Sequence, residues 1–390
     1  MKKRALLLKL AQDIRASYWF IPAALVLTAL VLAQVSEWLD RHTELLPFQL
    51  PATIIDTQVD GARSTLSTIA TSVIGVTGVM FSMTIVAVSF AAGTYGPRLI
   101  GNFMRDRGNQ ISLGILIATF VYALSILRAV QDPSEAGGID AFVPQYSMLI
   151  AMLGSVIAVF TMIFFVHHVP ETINVSNITA DLGRRLEREI INLIEANEAL
   201  EDADRPRAPK GDPDQEITLS AAGYIQTLNY QRVEALADDH GWRFRIDKVP
   251  GDFVTPFTPV LLIWADADLS EQNCAELRGC LAVGVGRTEH QNVLFLVDEL
   301  VEMLARALSP GVNDPFTAIN CLNWMHNALK TAKHYRAGLG EEGAGKYRFG
   351  PKLTYEELFR RSFLASFPYC ENDHLTLAHY NSCKAALEEA

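Results

Sequence analysis

The sequence predicts an α-helical transmembrane bundle of four spans, with both termini cytoplasmic, followed by an α+β cytoplasmic domain. Two observations carry this reading. Residues 19–35, 66–92, 111–127 and 146–166 are apolar stretches without a single Asp, Glu, Lys or Arg, each at or near the roughly 20 residues that cross a bilayer. The charge is also unevenly divided: residues 1–169 hold 10 acidic and 11 basic side chains, and residues 170–390 hold 34 and 22. The mean hydropathy of +0.16 therefore averages an apolar first part and an acidic second part. A soluble helix of such length needs a wet face, and these stretches offer nothing more polar than Ser and Thr.

The predicted organisation is a four-helix domain over residues 1–170, with spans at about 18–36, 66–92, 111–130 and 146–168. A connecting amphipathic helix over 171–200, a small α+β subdomain over 216–265 and a mainly helical subdomain over 266–390 follow. The first span comes after Met1, Lys2, Lys3 and Arg4, as in a signal peptide, but Glu37, Trp38 and Leu39 follow it in place of a small-x-small cleavage site. It is therefore read as a retained helix. Lys2, Lys3, Arg4, Lys9 and Arg15 precede span one, and Arg98, Arg105 and Arg107 lie between spans two and three, whereas residues 131–145 carry three acids and no base. The positive-inside rule then places both termini in the cytoplasm of a bacterial inner membrane. Tyr18, Trp19, Trp38, Tyr122 and Tyr146 are assigned to the interfaces, where amphipathic rings are favoured.

Span two is the most informative segment. Thr71, Gly75, Gly78, Ser82, Ser89 and Gly93 recur at spacings of 3 and 4, interrupted at Val86, and form one small or weakly polar stripe. Such a stripe has two uses: close approach of helix backbones with hydroxyls bonding across the contact, or the wall of a narrow conduit when several copies surround an axis. No span has a central ionisable group, which argues against a proton- or ion-coupled carrier. Arg98, Arg105 and Arg107 read as headgroup anchors in contact with membrane lipid, or as an anion-attracting cytoplasmic mouth. His167 and His168 close span four with Glu171 nearby. A metal site and a pH-responsive interface are both open readings there.

In the second part, Ile178, Leu182, Leu186, Ile190 and Leu193 mark an amphipathic helix that extends span four or packs between subunits, and residues 201–216 form a linker. A short strand at 222–225, a helix at 230–240 stopped by Gly241, and strands at 242–248 and up to Trp264 make up the small subdomain. Its Gly251, Asp252 and Val254 turn resembles that of the small β-domains that carry lipoyl or biotinyl groups, but the lysine of attachment has no equivalent, so no cofactor is expected. A helix over 269–281 has Ser270 as its N-cap. Leu296, Leu300, Met303 or Leu304, and Leu308 form the core stripe of the next one, and Asp298, Glu302 and Arg306 lie on its polar face as a salt-bridged ladder. Asn313 and Asp314 turn the chain into a further helix from Pro315. Asp298, Glu302, Arg306, Asn313 and Asp314 are the candidates for a ligand or gating site.

Residues 337–350 read as a glycine-rich loop, and Phe359, Phe363, Phe367 and Tyr369 as an aromatic stripe. Cys274, Cys280, Cys321, Cys370 and Cys383 include no CxxC and are expected to be reduced and buried. The chain contains no P-loop, dinucleotide fingerprint, HExxH or GxSxG, so neither catalytic nor metal-binding residues are assigned and no enzyme is expected. The acidic balance argues against nucleic acid as a partner.

Residues 81–90, 95–99, 102–107 and 306–318 together resemble the bacterial predicted membrane proteins grouped as domain of unknown function 2254. The resemblance implies an inner-membrane protein with four spans and a cytoplasmic domain, and it brings no activity, cofactor or catalytic residue. The function expected from this architecture is a homo-oligomeric channel or channel-like pore for an unspecified inorganic ion. Span two would lie nearest the axis and the cytoplasmic domain would regulate. The alternative is a non-conducting scaffold or ligand-sensing protein.

Overall fold

The computed structural model describes residues 17–45, 57–96, 106–132, 142–198, 211–266, 269–334 and 353–389. The predicted loop at 337–350, most of the 201–216 linker, and Arg98 and Arg105 lie outside them. The chain divides into two compact units, one of Ala11–Gly93 with Pro97–Asn174, the other including Thr94–Gly96 and Val175–Ala390.

The first is a span unit of four helices, α1 (Phe20–Arg41), α2 (Val59–Tyr95), α3 (Arg107–Ala129) and α4 (Gln145–Thr172), each long and apolar enough to cross a membrane. All four begin or end beyond the apolar stretches. In α1, Glu37 pairs with Arg41 at 2.9 Å, and Arg41 lies 4.2 Å over the Phe142 ring. At 37 residues, α2 is about 55 Å long against a hydrocarbon core of about 30 Å, so it extends beyond the core or tilts within it.

Backbones approach most closely between α1 and α3 and between α3 and α4. The contact of α1 with α3 depends on Gly114, where a methyl group would lie 2.5 Å from Leu25 Cδ1 and 3.1 Å from Pro22 Cα. Tyr122 is 4% exposed. Its hydroxyl is 2.9 Å from Ser36 Oγ and donates to the Ser147 carbonyl, which joins α1, α3 and α4. A buried hydroxyl costs free energy unless it is hydrogen-bonded, and α1 and α4 provide the partners. Contacts of α2 with its neighbours run through side chains: Leu66 and Ala70 lie in a core cluster with Tyr122, and Met80 and Ala87 in one with Phe165.

The N-cap position of α4 is Pro144, which makes no side-chain cap. Asp40, in the last turn of α1, takes its place by accepting from the backbone N–H groups of Tyr146 and Ser147, both at 2.9 Å, and from Ser147 Oγ. Asp40→Ala is therefore expected to cost the span unit about 1–2 kcal/mol, as losing an N-cap does. Thermal unfolding in detergent measures it, and a melting temperature equal to wild type would show that this cap contributes nothing.

In the second, mixed unit, Gln215–Thr218 (β1), Pro259–Trp264 (β5) and Arg243–Ile246 (β3) form one antiparallel sheet in the order β1-β5-β3. Phe253–Val254 (β4), Gly223–Leu228 (β2) and Leu281–Gly284 (β6) form another in the order β4-β2-β6. Helices α5 (Val175–Glu198), α6 (Tyr230–His240) and α7 (Glu271–Arg278) punctuate them. Gly241, at φ 69°, ends α6 in a left-handed conformation, and Ser270 Oγ caps α7 by accepting from Asn273 N at 3.2 Å. The subdomain boundary drawn at residue 265 falls short, because β6 pairs with β2 and α7 contributes Cys274 and Leu277 to the same core.

The rest of the mixed unit is helical: α8 (Val293–Ala307), α9 (Pro315–His334), α10 (Tyr355–Phe359), a π-turn (Arg360–Leu364), α11 (Ala365–Cys370) and α12 (His374–Glu389). The amphipathic helix α5 buries Leu182, Leu186, Ile190 and Ile194 and packs on α8 and α9 of its own chain, so its apolar face needs no second subunit. Gly183 admits the Trp324 ring, which a methyl group there would meet. The aromatic stripe closes on α12, with Phe363 and Phe367 at 5.3 and 5.5 Å from the Tyr380 ring, while Tyr369 is exposed. All five cysteines are buried and unpaired. Burial pushes the Cys280 thiol up to about 11 and those of Cys321 and Cys370 up to about 12, which keeps them protonated and inert.

Candidate functional site

The face of α2 that packs in its own unit is Ala62, Leu66, Ala70, Val73, Thr77, Met80, Thr84, Ala87 and Ala91, an unbroken series of steps of 3 and 4. At 100° per residue, the stripe of Thr71, Gly75, Gly78, Ser82, Ser89 and Gly93 lies roughly 160° away from it, and all six residues are exposed. Nothing lies within 4 Å of a methyl group placed on Gly75, Gly78 or Gly93. The small residues thus make a flat outer face and are not what holds α2 to its bundle.

Gly75, Gly78 and Ser82 also form one wall of a groove of about 760 Å³, whose other wall is Phe165, Val166 and Val169 of α4. The groove is apolar because its hydroxyl is turned inward: Ser82 Oγ donates to the Gly78 carbonyl at 2.9 Å. Thr77 and Thr84 bond back to Val73 and Met80 in the same way, since a hydroxyl in an apolar environment needs an acceptor and its own helix offers one.

At one end of the span unit, Asp106 caps α3 by accepting from Asn109 N, and the same Oδ1 lies 2.8 Å from His168 Nε2. His168 stacks on Phe164, and Gly108 leaves room for the imidazole to pass. His167 makes a separate exposed pair with Glu171 at 3.4 Å. Arg107 is exposed at the first residue of α3, the one described residue of the predicted arginine mouth.

In the mixed unit the expected ladder forms only in part. Arg306 pairs with Glu302 at 3.4 Å, but Asp298 turns to two other guanidiniums, Arg287 and Arg361, the latter at 3.0 Å. Asp298 and Glu302 carry like charges one turn apart and do not attract, whereas the tertiary fold brings two cations to Asp298. Local spacing along α8 does not point to Arg361, which lies in the π-turn 63 residues away in sequence. Asn313, at φ 51°, and Asp314 make the turn between α8 and α9. Asp314 caps α9 by accepting from Thr317 N at 3.1 Å and from Thr317 Oγ1. The five candidates of the mixed unit therefore fall into an arginine-bridged Asp298 and a separate group at the α8–α9 corner.

A family profile described as a predicted membrane protein, DUF2254, matches residues 15–383. The chain belongs to the DUF2254 family. Among curated relatives, this DUF2254 chain is 27% identical over 271 residues to a protein of Mycobacterium bovis, described as uncharacterized, covering 68% of the chain and 51% of the relative. An uncharacterized protein of Mycobacterium tuberculosis strain H37Rv matches with the same values. The chain thus spans about half the length of the curated relatives it matches. No solved structure matches it.

Proposed function

We propose that this DUF2254 chain is a homo-oligomeric channel-like pore of a bacterial inner membrane, with α2 nearest the axis and the mixed unit as a cytoplasmic regulatory ring. The observation that carries the reading is the outward small-residue face of α2, opposite the face that packs in its own bundle. Glycines at this spacing let a helix from a second copy approach closely. A ring of such faces around an axis leaves a narrow path whose ion selectivity would come from its mouth. Both termini lie in the cytoplasm in this reading, and no catalytic step belongs to it.

A second reading, a non-conducting scaffold, is favoured by one observation: the Ser82 hydroxyl is satisfied within its own helix, so the groove offers little to a hydrated ion. Flux from liposomes containing purified protein separates the two. Ser82→Trp and Ser89→Trp are expected to reduce flux at least about tenfold while the oligomer is retained, as a bulky ring does in a narrow conduit. A well-folded wild-type protein that carries no ion under varied pH, voltage and osmotic tension would leave the scaffold.

A further inference from the structure

Within the mixed unit, α12 lies along α9, and the polar contacts between them fall on one stripe of each helix. His379 Nε2 is 2.7 Å from Asn323 Oδ1 and 3.5 Å from Cys383 Sγ, and Lys333 Nζ donates to the Leu387 carbonyl. Asn323, His326, Lys330 and Lys333 follow one another at steps of 3, 4 and 3, so His326 and Lys330 lie on the same face between these two pinned points. His326 Nε2 is buried and has no hydrogen-bond partner among the described residues. The seam is rich in bases. Carboxylates of α12 stand near its ends, where Asp373 caps the helix and Glu388 pairs with Lys384 at 4.0 Å. On the other elements packed against α9, Glu187 of α5 accepts from Thr331. Asp298 and Glu302 of α8 hold Arg361 and Arg306, and Glu357 of α10 holds Arg360. The charged or titratable groups that act on His326 are Lys330, one turn on along α9, and His379, across the seam.

We propose that the α9–α12 seam is an acid-released latch, closed while His326 is neutral. Protonation places a cation between Lys330 and His379 and leaves its Nε2 proton without an acceptor, which frees α12. Burial, Lys330 and His379 all push the His326 imidazole below its ordinary value, whereas in the released chain it takes up a proton near pH 6.5. The released state thus binds the proton more readily. The contribution of this seam is complete above about pH 6.5 and is lost as the pH falls below it. Release uncovers Tyr380, Cys383 and Leu387, the buried face of α12. The latch lies within one unit and does not depend on whether α2 lines a conduit.

Hydrogen exchange of the full-length protein in lipid nanodiscs at about pH 7.5 and about pH 5.5 tests it, with rates converted to protection factors so that the intrinsic effect of pH is removed. Protection of the α12 amides is expected to fall about tenfold on acidification, the ordinary scale of one linked group, while α5 and α8 keep theirs. His326→Leu removes the titrating group and is expected to abolish the fall. Lys330→Glu, at an exposed position, puts a carboxylate one turn from His326 and is expected to reduce the fall to about threefold or less. It decides alone where His326→Leu loses the fold. A wild-type α12 equally protected at both pH values overturns the latch, as does a fall shared equally by α5 and α8, which would report general acid unfolding. A fall that survives His326→Leu, or one undiminished in Lys330→Glu, overturns it too.

Discussion

Asp298→Ala is expected to destabilise the mixed unit by about 2–4 kcal/mol, somewhat below what breaking a fully buried ion pair costs because this site is partly wet. The carboxylate lies between Arg287 and Arg361, and its side chain is 18% exposed. Arg287 Nε and Arg361 Nε are buried without acceptors, so Asp298 already carries much of the burden of satisfying two guanidiniums. Removing it leaves two like charges close together in a half-buried site. Asp298→Asn keeps an acceptor and loses the charge, and is expected to fall between alanine and wild type. Arg361→Met costs less than Asp298→Ala, because Arg287 still has its partner. Denaturant unfolding in detergent, followed by the fluorescence of the three tryptophans of this unit at 242, 264 and 324, gives the ordering. An Asp298→Ala protein within about 0.5 kcal/mol of wild type, the ordinary scale for an uninvolved surface substitution, would sink this account.

Gly114→Val is the corresponding prediction for the span unit, with an expected loss of about 3 kcal/mol, at the upper end for overpacking. Where a methyl group at this position would meet the far end of Leu25, that side chain can rotate away. It would also come within 3.1 Å of Pro22 Cα, and backbone cannot rotate away. The helices α1 and α3 must therefore separate, which also strains the Ser36 to Tyr122 bond between them. Gly114→Ala is expected to cost less, and Gly78→Val should leave the stability of the single chain unchanged, since nothing lies within 4 Å of that position. Thermal unfolding of the three variants in detergent distinguishes them. Equal losses for Gly114→Val and Gly78→Val would mean that the small residues of α2 pack within the chain after all.

The four spans were legible because crossing a bilayer is decided within each segment: an uncharged run of sufficient length either is present or is not. The helix ends were less so. Asp40 and Arg41 look like the start of a loop, and their partners Ser147 and Phe142, about a hundred residues later, hold them in the last turn of a helix. Strand β6 escaped for a similar reason. Leu281, Ala282, Val283 and Gly284 have no alternation to read, and the segment becomes a strand because β2 offers it an edge.

The candidate site divides along the same line. Periodicity along α2 was enough to put Thr71, Gly75, Gly78, Ser82, Ser89 and Gly93 on one face, because 3.6 residues per turn is a property of the helix alone. Whether that face points into the bundle or away from it depends on what α1, α3 and α4 offer, and only the folded chain turned it outward. Likewise Glu302 and Arg306, four residues apart, find each other through local geometry. Asp298 was claimed by Arg287 and Arg361 because a partly buried carboxylate goes to the cations that the tertiary fold brings within reach, wherever they stand in the sequence.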